Sequence, residues 1–273
     1  MTDIDLTMMP GSTAEDVHEK VIPPSWHSAR DDPALGCWRS HANVWRKIIS
    51  ENIATALVLE DDADWDVNVK EQMFLQSQAI LSHPNLVTND SRVEDEKPYR
   101  DDWDIFFLGA CQLRAYGNET SEAGPFIVVK DAYMAQRDKL RDSYLNALDH
   151  FGTLCTTGYA VSKKGAARLL YNIGWKDFAF PIDNELSWKI EKGIIRGITT
   201  SPPIFNMYKT HSSRDSDINN TTKNEQASNA DGSTADIRNS ARMAMNNYYA
   251  PDTPPEEYWA PRLNIEPVKV GDA

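Results

Sequence analysis

Cysteine is scarce in this chain, and its positions exclude two classes of small domain. Only Cys37, Cys111 and Cys155 occur, far apart and odd in number. No CxxC pair and no cysteine–histidine spacing is typical of zinc, so a domain built around a structural zinc ion is excluded. Scattered cysteines also suit a disulfide framework poorly, and we expect buried, reduced thiols.

Long apolar runs are also absent. No stretch of about 18 consecutive apolar residues occurs, so the sequence predicts no membrane span. Residues Met1 to Asp5 place no basic group ahead of an apolar core, which argues against a signal peptide. We therefore expect a cytoplasmic protein as written, or one of the secretory-pathway lumen if an N-terminal segment is missing.

Basic residues are too few to balance the acidic ones. The chain has 28 lysines and arginines against 41 acids, a formal net charge of −13. Because such a surface repels polyanions, neither nucleic acid nor an anionic membrane is expected as a partner. With 273 residues, the chain is long enough for one large domain with a substantial core.

An apolar run of strand character, residues 56–59, ends abruptly in acids. Five carboxylates follow within seven residues: Glu60, Asp61, Asp62, Asp64 and Asp66. Open α/β sheets bind ligands where strands end, and clustered negative charge needs a cation to neutralise it. Oxygen ligands suit Mg²⁺ or Mn²⁺, which often bridge to phosphates. The run predicts a metal–phosphate site with Glu60, Asp62 and Asp64, and Asp61 as a structural acid on the opposite side of the strand.

Other interpretations of the acidic run stay open at this point. Solvated loop residues or helix caps fit these residues equally well. An EF-hand loop does not fit, because it requires Gly and Glu where the chain has Val67 and Met73. A phosphatase or nuclease fits least, because no second cluster of acids or histidines follows a strand.

Hydrophobic periodicity predicts alternating helices and strands. The predicted helices span residues 38–49, 63–81, 135–151, 163–173 and 183–193. The predicted strands span residues 54–59, 103–109, 126–130, 157–162 and 194–199, and residues 83–102 form a predicted surface loop. This alternation predicts an α/β fold with a mainly parallel sheet. The expected core comprises Trp38, Trp45, Leu57, Leu59, Ile105, Phe107, Leu169 and Leu170.

Several short motifs occur in an order that resembles a known family. The first is Gly36-Cys37-Trp38-Arg39-Ser40-His41, which precedes the acidic run. The later ones are Trp103-Asp104 with Leu108-Gly109, Gly158-Tyr159-Ala160-Val161-Ser162-Lys163-Lys164-Gly165-Ala166, Pro181-Ile182-Asp183-Asn184-Glu185-Leu186 and Ser216-Asp217-Ile218. Over residues 12–220 they resemble glycosyltransferase family 25, which includes lipopolysaccharide glycosyltransferases and procollagen galactosyltransferases. Trp38 is typical of the fungal branch.

The resemblance implies a GT-A-like, Rossmann-like fold and transfer of a hexose. The implied donor is a nucleotide sugar such as UDP-galactose or UDP-glucose, the acceptor is a glycan or protein hydroxyl, and the cofactor is Mn²⁺ or Mg²⁺. The metal would stabilise the charge that builds on the leaving diphosphate. The family is regarded as inverting, so one carboxylate should take the proton of the acceptor hydroxyl.

Four residues outside the acidic run are candidates for this site. Asp183 is the candidate catalytic base, although an Asp at a helix start is also an ordinary N-cap. His41 is expected to contact a donor phosphate, or simply to hydrogen-bond the backbone. Tyr159 and Ser162 are candidate donor-binding residues, although Tyr159 could belong to the core and Ser162 could cap the helix that follows.

The motifs divide the chain into three parts. Residues 1–35 resemble a linker, residues 36–220 form the family 25-like domain, and residues 221–273 are a polar, proline-rich tail expected to be mobile. The family's usual first strand, which cradles the nucleotide, has no counterpart before Asp3. On that basis we expect weak or no transferase activity, and an alternative function is that of an inactive or truncated member acting as a binding or structural protein.

Overall fold

A computed structural model describes about two thirds of the chain. The described residues are 2, 4–82, 99–100, 102–110, 112–113, 126–129, 135–136, 139–140, 143–148, 153–209, 233–234, 237 and 239–248. None of the helices within these ranges is long and apolar enough to cross a membrane.

Five α-helices are present in the described ranges. They are α1 (Pro33–Ser50), α2 (Val69–Ser82), α3 (Lys163–Tyr171), α4 (Ile182–Glu191) and α5 (Ala241–Tyr248). Capping side chains mark the first residues of two of these helices, α1 and α3. The carboxylate of Asp32 accepts a hydrogen bond from the Ala34 amide at 2.9 Å, and Pro33 opens α1. As predicted, Ser162 caps α3 by accepting from the Gly165 amide at 2.9 Å.

Short strands alternate with these helices. They are β1 (Thr55–Leu59), β2 (Ala63–Trp65), β3 (Ile105–Phe107), β4 (Gln112–Leu113), β5 (Phe126–Val129), β6 (Ala135–Gln136), β7 (Lys139–Leu140), β8 (Ser143–Leu148), β9 (Thr153–Leu154), β10 (Gly158–Ser162), β11 (Gly197–Ser201), β12 (Phe205–Lys209) and β13 (Ser233–Thr234). Six of them form the central sheet in the order β1-β10-β3-β11-β8-β5, and β13-β12-β2 form a second sheet.

The central sheet is mixed, and helices pack against it, so the predicted α/β class is confirmed and is consistent with a Rossmann-like glycosyltransferase fold. The expected mainly parallel pairing is wrong, because β3–β11 is parallel and the other four pairings are antiparallel. Strands β1 and β3 do run in the same direction, as a strand–helix–strand pattern requires, but β10 lies between them in the opposite direction. Strand–helix alternation indicates the direction of successive strands and not which strand is inserted between them.

Two hydrophobic clusters lie on the two faces of the sheet. Alternation along β3 directs Ile105 and Phe107 towards α1, α3 and α4, and directs Phe106 towards α2. Of the predicted core residues, five are buried: Trp38, Trp45, Ile105, Phe107 and Leu169. Leu59 and Leu170 are partly buried. The prediction for Leu57 is wrong, since 41% of this residue is exposed on β1, at the edge of the sheet.

Two predicted helices differ from the structure. Residues 63–65 form strand β2, and the helix predicted from residue 63 begins only at Val69. In the described part of residues 135–151, the predicted helix is replaced by β6, β7 and β8. Tyr144 and Leu148 explain the error, because a spacing of four also places them on one face of strand β8. In the predicted surface loop, residues 83–98 lie outside the described ranges, whereas Arg100 and Asp102 are buried and form an ion pair at 3.1 Å.

The cysteines also differ from expectation. Cys37 is a free thiol, as predicted. Cys155 is disulfide-bonded, so the expectation of reduced thiols is wrong for this residue. Cys111 lies outside the described residues.

Parts of the chain predicted to be a linker and a tail contribute to the fold. Ala14 and Val17 are buried in the cluster around α1. Asn239 and Ser240 contact the region that follows β2, as the next section describes. Most of the predicted tail lies outside the described residues.

Candidate functional site

The candidate site lies where β1 ends beside the start of β10. Leu59 pairs with Gly158, and one residue further the Glu60 amide donates to the Thr157 carbonyl at 3.0 Å. The chain then turns at residues 61–62 and enters β2. The predicted acidic residues therefore follow a strand end, as expected, and the first of them, Glu60, contacts the loop at residues 155–157.

Glu60 is held by two side chains. Its Oε1 accepts a hydrogen bond from the Thr156 hydroxyl at 2.5 Å and lies 3.6 Å from His41 Nε2. Burial by itself raises the pKa of this carboxyl, but His41 and Thr156 outweigh burial and lower the pKa below its ordinary value. Glu60 is therefore an oriented, ionised carboxylate.

His41 is buried behind Glu60. Its Nδ1 is hydrogen-bonded to the Tyr159 hydroxyl at 2.9 Å, and the same hydroxyl accepts from Trp45 Nε1 at 3.1 Å. Burial disfavours the imidazolium, but Tyr159, Cys37 and Glu60 together outweigh burial and raise the pKa of His41 well above its ordinary value. In this geometry His41 orients Glu60, and Tyr159 orients His41 from within the core.

Asp62 has an unusual environment for a carboxylate. Its Oδ1 is buried and has no hydrogen-bond partner within the described structure. Two effects raise the pKa of Asp62 to about 6: burial, which is the larger, and repulsion from Glu60 and Asp61. The positive charge of Arg242 lowers this pKa but does not outweigh them. A cation bound here would give Asp62 Oδ1 a partner and would reduce the repulsion between Asp62 and its neighbours Glu60 and Asp61.

Asp64 is engaged elsewhere. Its Oδ2 accepts from the Ser240 hydroxyl at 2.5 Å, and its Oδ1 accepts from the Arg242 amide at 3.1 Å. The structure therefore does not bring Asp64 to Glu60 and Asp62 as a third ligand, and it gives Asp64 the structural part expected of Asp61. The Asp61 side chain is exposed, and the Asp61 carbonyl accepts from the Arg242 guanidinium.

Asp183 lies on the other side of the loop that contacts Glu60. Its Oδ2 accepts from the Cys155 amide at 3.2 Å, and its Oδ1 accepts from the Asn184 amide at 2.8 Å. Asp183 does not cap α4, because the cap position is Pro181, which has no side-chain hydrogen bond. Since Cys155 and Thr156 are consecutive, one loop connects Asp183 with Glu60.

Ser162 is not brought to this site. It pairs with Thr55, at the end of β10 that lies away from Glu60. Its hydroxyl donates to the Trp103 carbonyl at 2.9 Å and accepts from the Gly165 amide, so its observed role is that of a helix cap.

Sequence reasoning missed three residues that contact the acidic run: Thr156, Ser240 and Arg242. Thr156 directly precedes the Thr157-Gly158-Tyr159 run, and its position beside a glycine-tyrosine motif was the available signal. Ser240 and Arg242 carried no local signal, because they lie in a polar segment more than 170 residues from their partners.

The residues at the site fit a divalent cation in part. Among the described residues, no three His, Cys, Asp or Glu side chains are grouped so that they could hold a metal ion by themselves. Glu60 and the partnerless Asp62 oxygen nevertheless supply two carboxylates. Mg²⁺ in particular is often held by one or two carboxylates together with substrate phosphates. The donor set therefore suits an ion that a phosphorylated substrate helps to bind.

Comparison with known proteins identifies relatives. Residues 13–186 match the family described as "Glycosyltransferase family 25 (LPS biosynthesis protein)". Over 136 residues, half of this chain, the sequence is 26% identical to procollagen galactosyltransferase 1-A of Xenopus laevis and to procollagen galactosyltransferase 1 of Danio rerio. Over 95 residues, 35% of this chain, it is 24% identical to the inactive glycosyltransferase 25 family member 3 of Homo sapiens. The matches cover 16%, 17% and 13% of these relatives, in that order.

Proposed function

Because the chain belongs to glycosyltransferase family 25, we propose that it transfers a hexose, galactose or glucose, from a UDP-sugar to a hydroxyl of a glycan or protein acceptor. The observation that carries this proposal is the pair of carboxylates at the end of β1, one oriented and one without a partner. The named activity of the procollagen galactosyltransferases supports a sugar donor of this class.

The proposed cofactor is Mn²⁺ or Mg²⁺, held by Glu60 and Asp62. When bound, such an ion stabilises the negative charge of the leaving diphosphate as a Lewis acid. The protein's own contribution is to fix one ligand in advance. His41 and Thr156 hold Glu60 ionised and in a single orientation, so little reorganisation is needed when a donor binds.

Asp183 is the proposed general base. Oδ1 accepts two hydrogen bonds, from the backbone amide and the side-chain nitrogen of Asn184, whereas Oδ2 accepts one, from the Cys155 amide. Since each carboxylate oxygen has two lone pairs, Oδ2 can still accept a hydrogen bond from an acceptor hydroxyl. In an inverting transfer this carboxylate would take the hydroxyl proton as the bond to the sugar forms. The loop at Cys155 and Thr156 would keep this base at a fixed position relative to Glu60.

A second candidate function is that of a catalytically inactive family member that binds a partner or has a structural role. The similarity to the inactive family member 3 favours it. A binding protein of this kind could keep the fold and the core around His41 without turning over a sugar donor. The two functions differ in their response to UDP-sugar and metal.

Hydrolysis and binding of UDP-galactose and UDP-glucose, with and without Mn²⁺, test the proposal. We expect Mn²⁺-dependent release of UDP from one of these donors, and loss of calorimetric Mn²⁺ binding in Asp62→Asn. Asp61→Asn is a matched control, because it removes an equal charge from an exposed neighbour. Equal Mn²⁺ binding by the parent and Asp62→Asn would refute the metal assignment, and a folded parent that binds no UDP would favour the inactive member.

A further inference from the structure

A C-terminal segment is fastened to the region just after the acidic turn. We name residues 239–242 the strap. The Asn239 amide donates to Asp66 Oδ2 at 2.8 Å, and the Val67 amide donates to the Asn239 carbonyl at 2.9 Å. Ser240 then binds Asp64 through its hydroxyl. Two fully buried carboxylates, Asp64 and Asp66, thus hold a segment about 175 residues away in sequence.

The strap positions one cation at the acidic turn. Nη2 of Arg242 donates to the Asp61 carbonyl, and its Nε donates to the Ala63 carbonyl at 3.0 Å, so the guanidinium is bound to the backbone on both sides of Asp62. Its Cζ lies 5.5 Å from the centre of the Tyr208 ring. These three contacts fix the direction of the side chain, which is half-buried.

Within the described part of the chain, the Arg242 guanidinium is hydrogen-bonded to no carboxylate, although its charge favours the ionised form of Asp62. Both of its side-chain hydrogen bonds go to backbone carbonyls, and among the described residues it forms no ion pair. The remaining terminal nitrogen, Nη1, is therefore free for another acceptor. A guanidinium matches phosphate oxygens in geometry and binds them more strongly than it binds neutral acceptors.

A nucleoside diphosphate that approached Glu60, Asp61 and Asp62 would be repelled by three carboxylates. We propose that Arg242 contacts the diphosphate of the donor and that the strap exists to deliver this residue to the acidic turn. This inference rests on the proposed function and extends the donor site beyond the family-matched residues 13–186. It makes the strap a part of the donor site.

Calorimetric titration with UDP and with uridine, both in the presence of Mn²⁺, tests the role of Arg242. We expect Arg242→Gln to weaken UDP binding by about ten- to a hundredfold, the range for losing a charge-assisted hydrogen bond. Arg242→Lys should lose less, because it keeps the charge. Uridine has no phosphate and should bind the parent and both variants equally. Arg46→Gln, an exposed change on α1, is the control for lost positive charge.

A second variant tests the strap itself. Ser240→Ala removes the hydroxyl that binds Asp64 and leaves every charged group in place, so we expect weaker UDP binding with unchanged uridine binding. If UDP binds Arg242→Gln as tightly as the parent, or if UDP and uridine weaken by the same factor, Arg242 is not a phosphate ligand. A parent that binds neither UDP nor uridine would refute the proposed function as well, which separates the two failures.

Discussion

Replacing Tyr159 with Phe tests the buried network that holds Glu60. The substitution removes one oxygen and leaves no large cavity, because the aromatic ring remains. It removes from Trp45 Nε1 its only hydrogen-bond partner among the described residues, and it removes one partner from His41 Nδ1; both nitrogens lie in the core. A buried polar group left without a partner costs about 1–3 kcal/mol. His41 keeps its contact with Cys37, so the two costs together stay below the sum of their upper values. We therefore expect a total loss of about 2–4 kcal/mol in the free energy of unfolding.

Urea unfolding measures this loss as a shift of the midpoint at constant slope. Tyr171→Phe is the matched control, because this tyrosine is 61% exposed and should change stability by less than about 0.5 kcal/mol. A small effect of Tyr159→Phe, equal to that of the control, would refute the idea that the hydroxyl organises His41. A variant of unchanged stability but weaker UDP binding would instead support the sequence-based prediction that Tyr159 contacts the donor.

Two further predictions concern Ser162 and Asp62. Ser162→Ala should lower stability by about 1–2 kcal/mol through loss of the α3 cap while leaving UDP affinity unchanged, as urea unfolding and calorimetry can check; weaker UDP binding at full stability would contradict this. The pKa of Asp62 is raised to about 6, so its carboxyl binds a proton more readily in the folded state than in the unfolded state. The free energy of unfolding therefore falls as pH rises from about 4 to 6 and this carboxyl loses its proton. Asp62→Asn should therefore raise the melting temperature at pH 7.5 and not at pH 4. Mn²⁺ binding by the parent should weaken as pH falls through about 6, because Asp62 takes up a proton. An equal change in melting temperature at both pH values would refute the raised pKa of Asp62.

Local patterns predicted those parts of the fold that local chemistry determines. Helix α1 has a continuous apolar face, and α3 has both a capping serine and a glycine that permits close packing. A Cβ at Gly165 would lie 1.9 Å from the Asp104 carbonyl oxygen, which explains why the motif requires glycine there. The apolar face of α1 and the serine cap of α3 depend on neighbours a few residues away, so the sequence alone was sufficient for them, whereas the close approach of Gly165 to Asp104 depends on a distant residue.

The errors arise where one pattern is compatible with two structures. Tyr144 and Leu148 share a helix face at a spacing of four, but an even spacing also places them on one face of strand β8. Strand β8 forms because it pairs with β11 on one side and β5 on the other. Such pairings depend on distant partners, which periodicity does not specify.

The acidic run shows the same limit within the site. Glu60, Asp62 and Asp64 were grouped as metal ligands because acids cluster just after a predicted strand, and side-chain alternation set only Asp61 apart from Glu60 and Asp62. The chain turns after Glu60, where the Ala63 amide donates to the Glu60 carbonyl at 3.1 Å, and β2 joins a different sheet through β12. The turn separates Glu60 and Asp62, which remain at the end of β1, from Asp64, which reaches Ser240. The turn thus divides a run of acids that resembles one cluster: Glu60 and Asp62 lie at the proposed metal site, and Asp64 binds the strap.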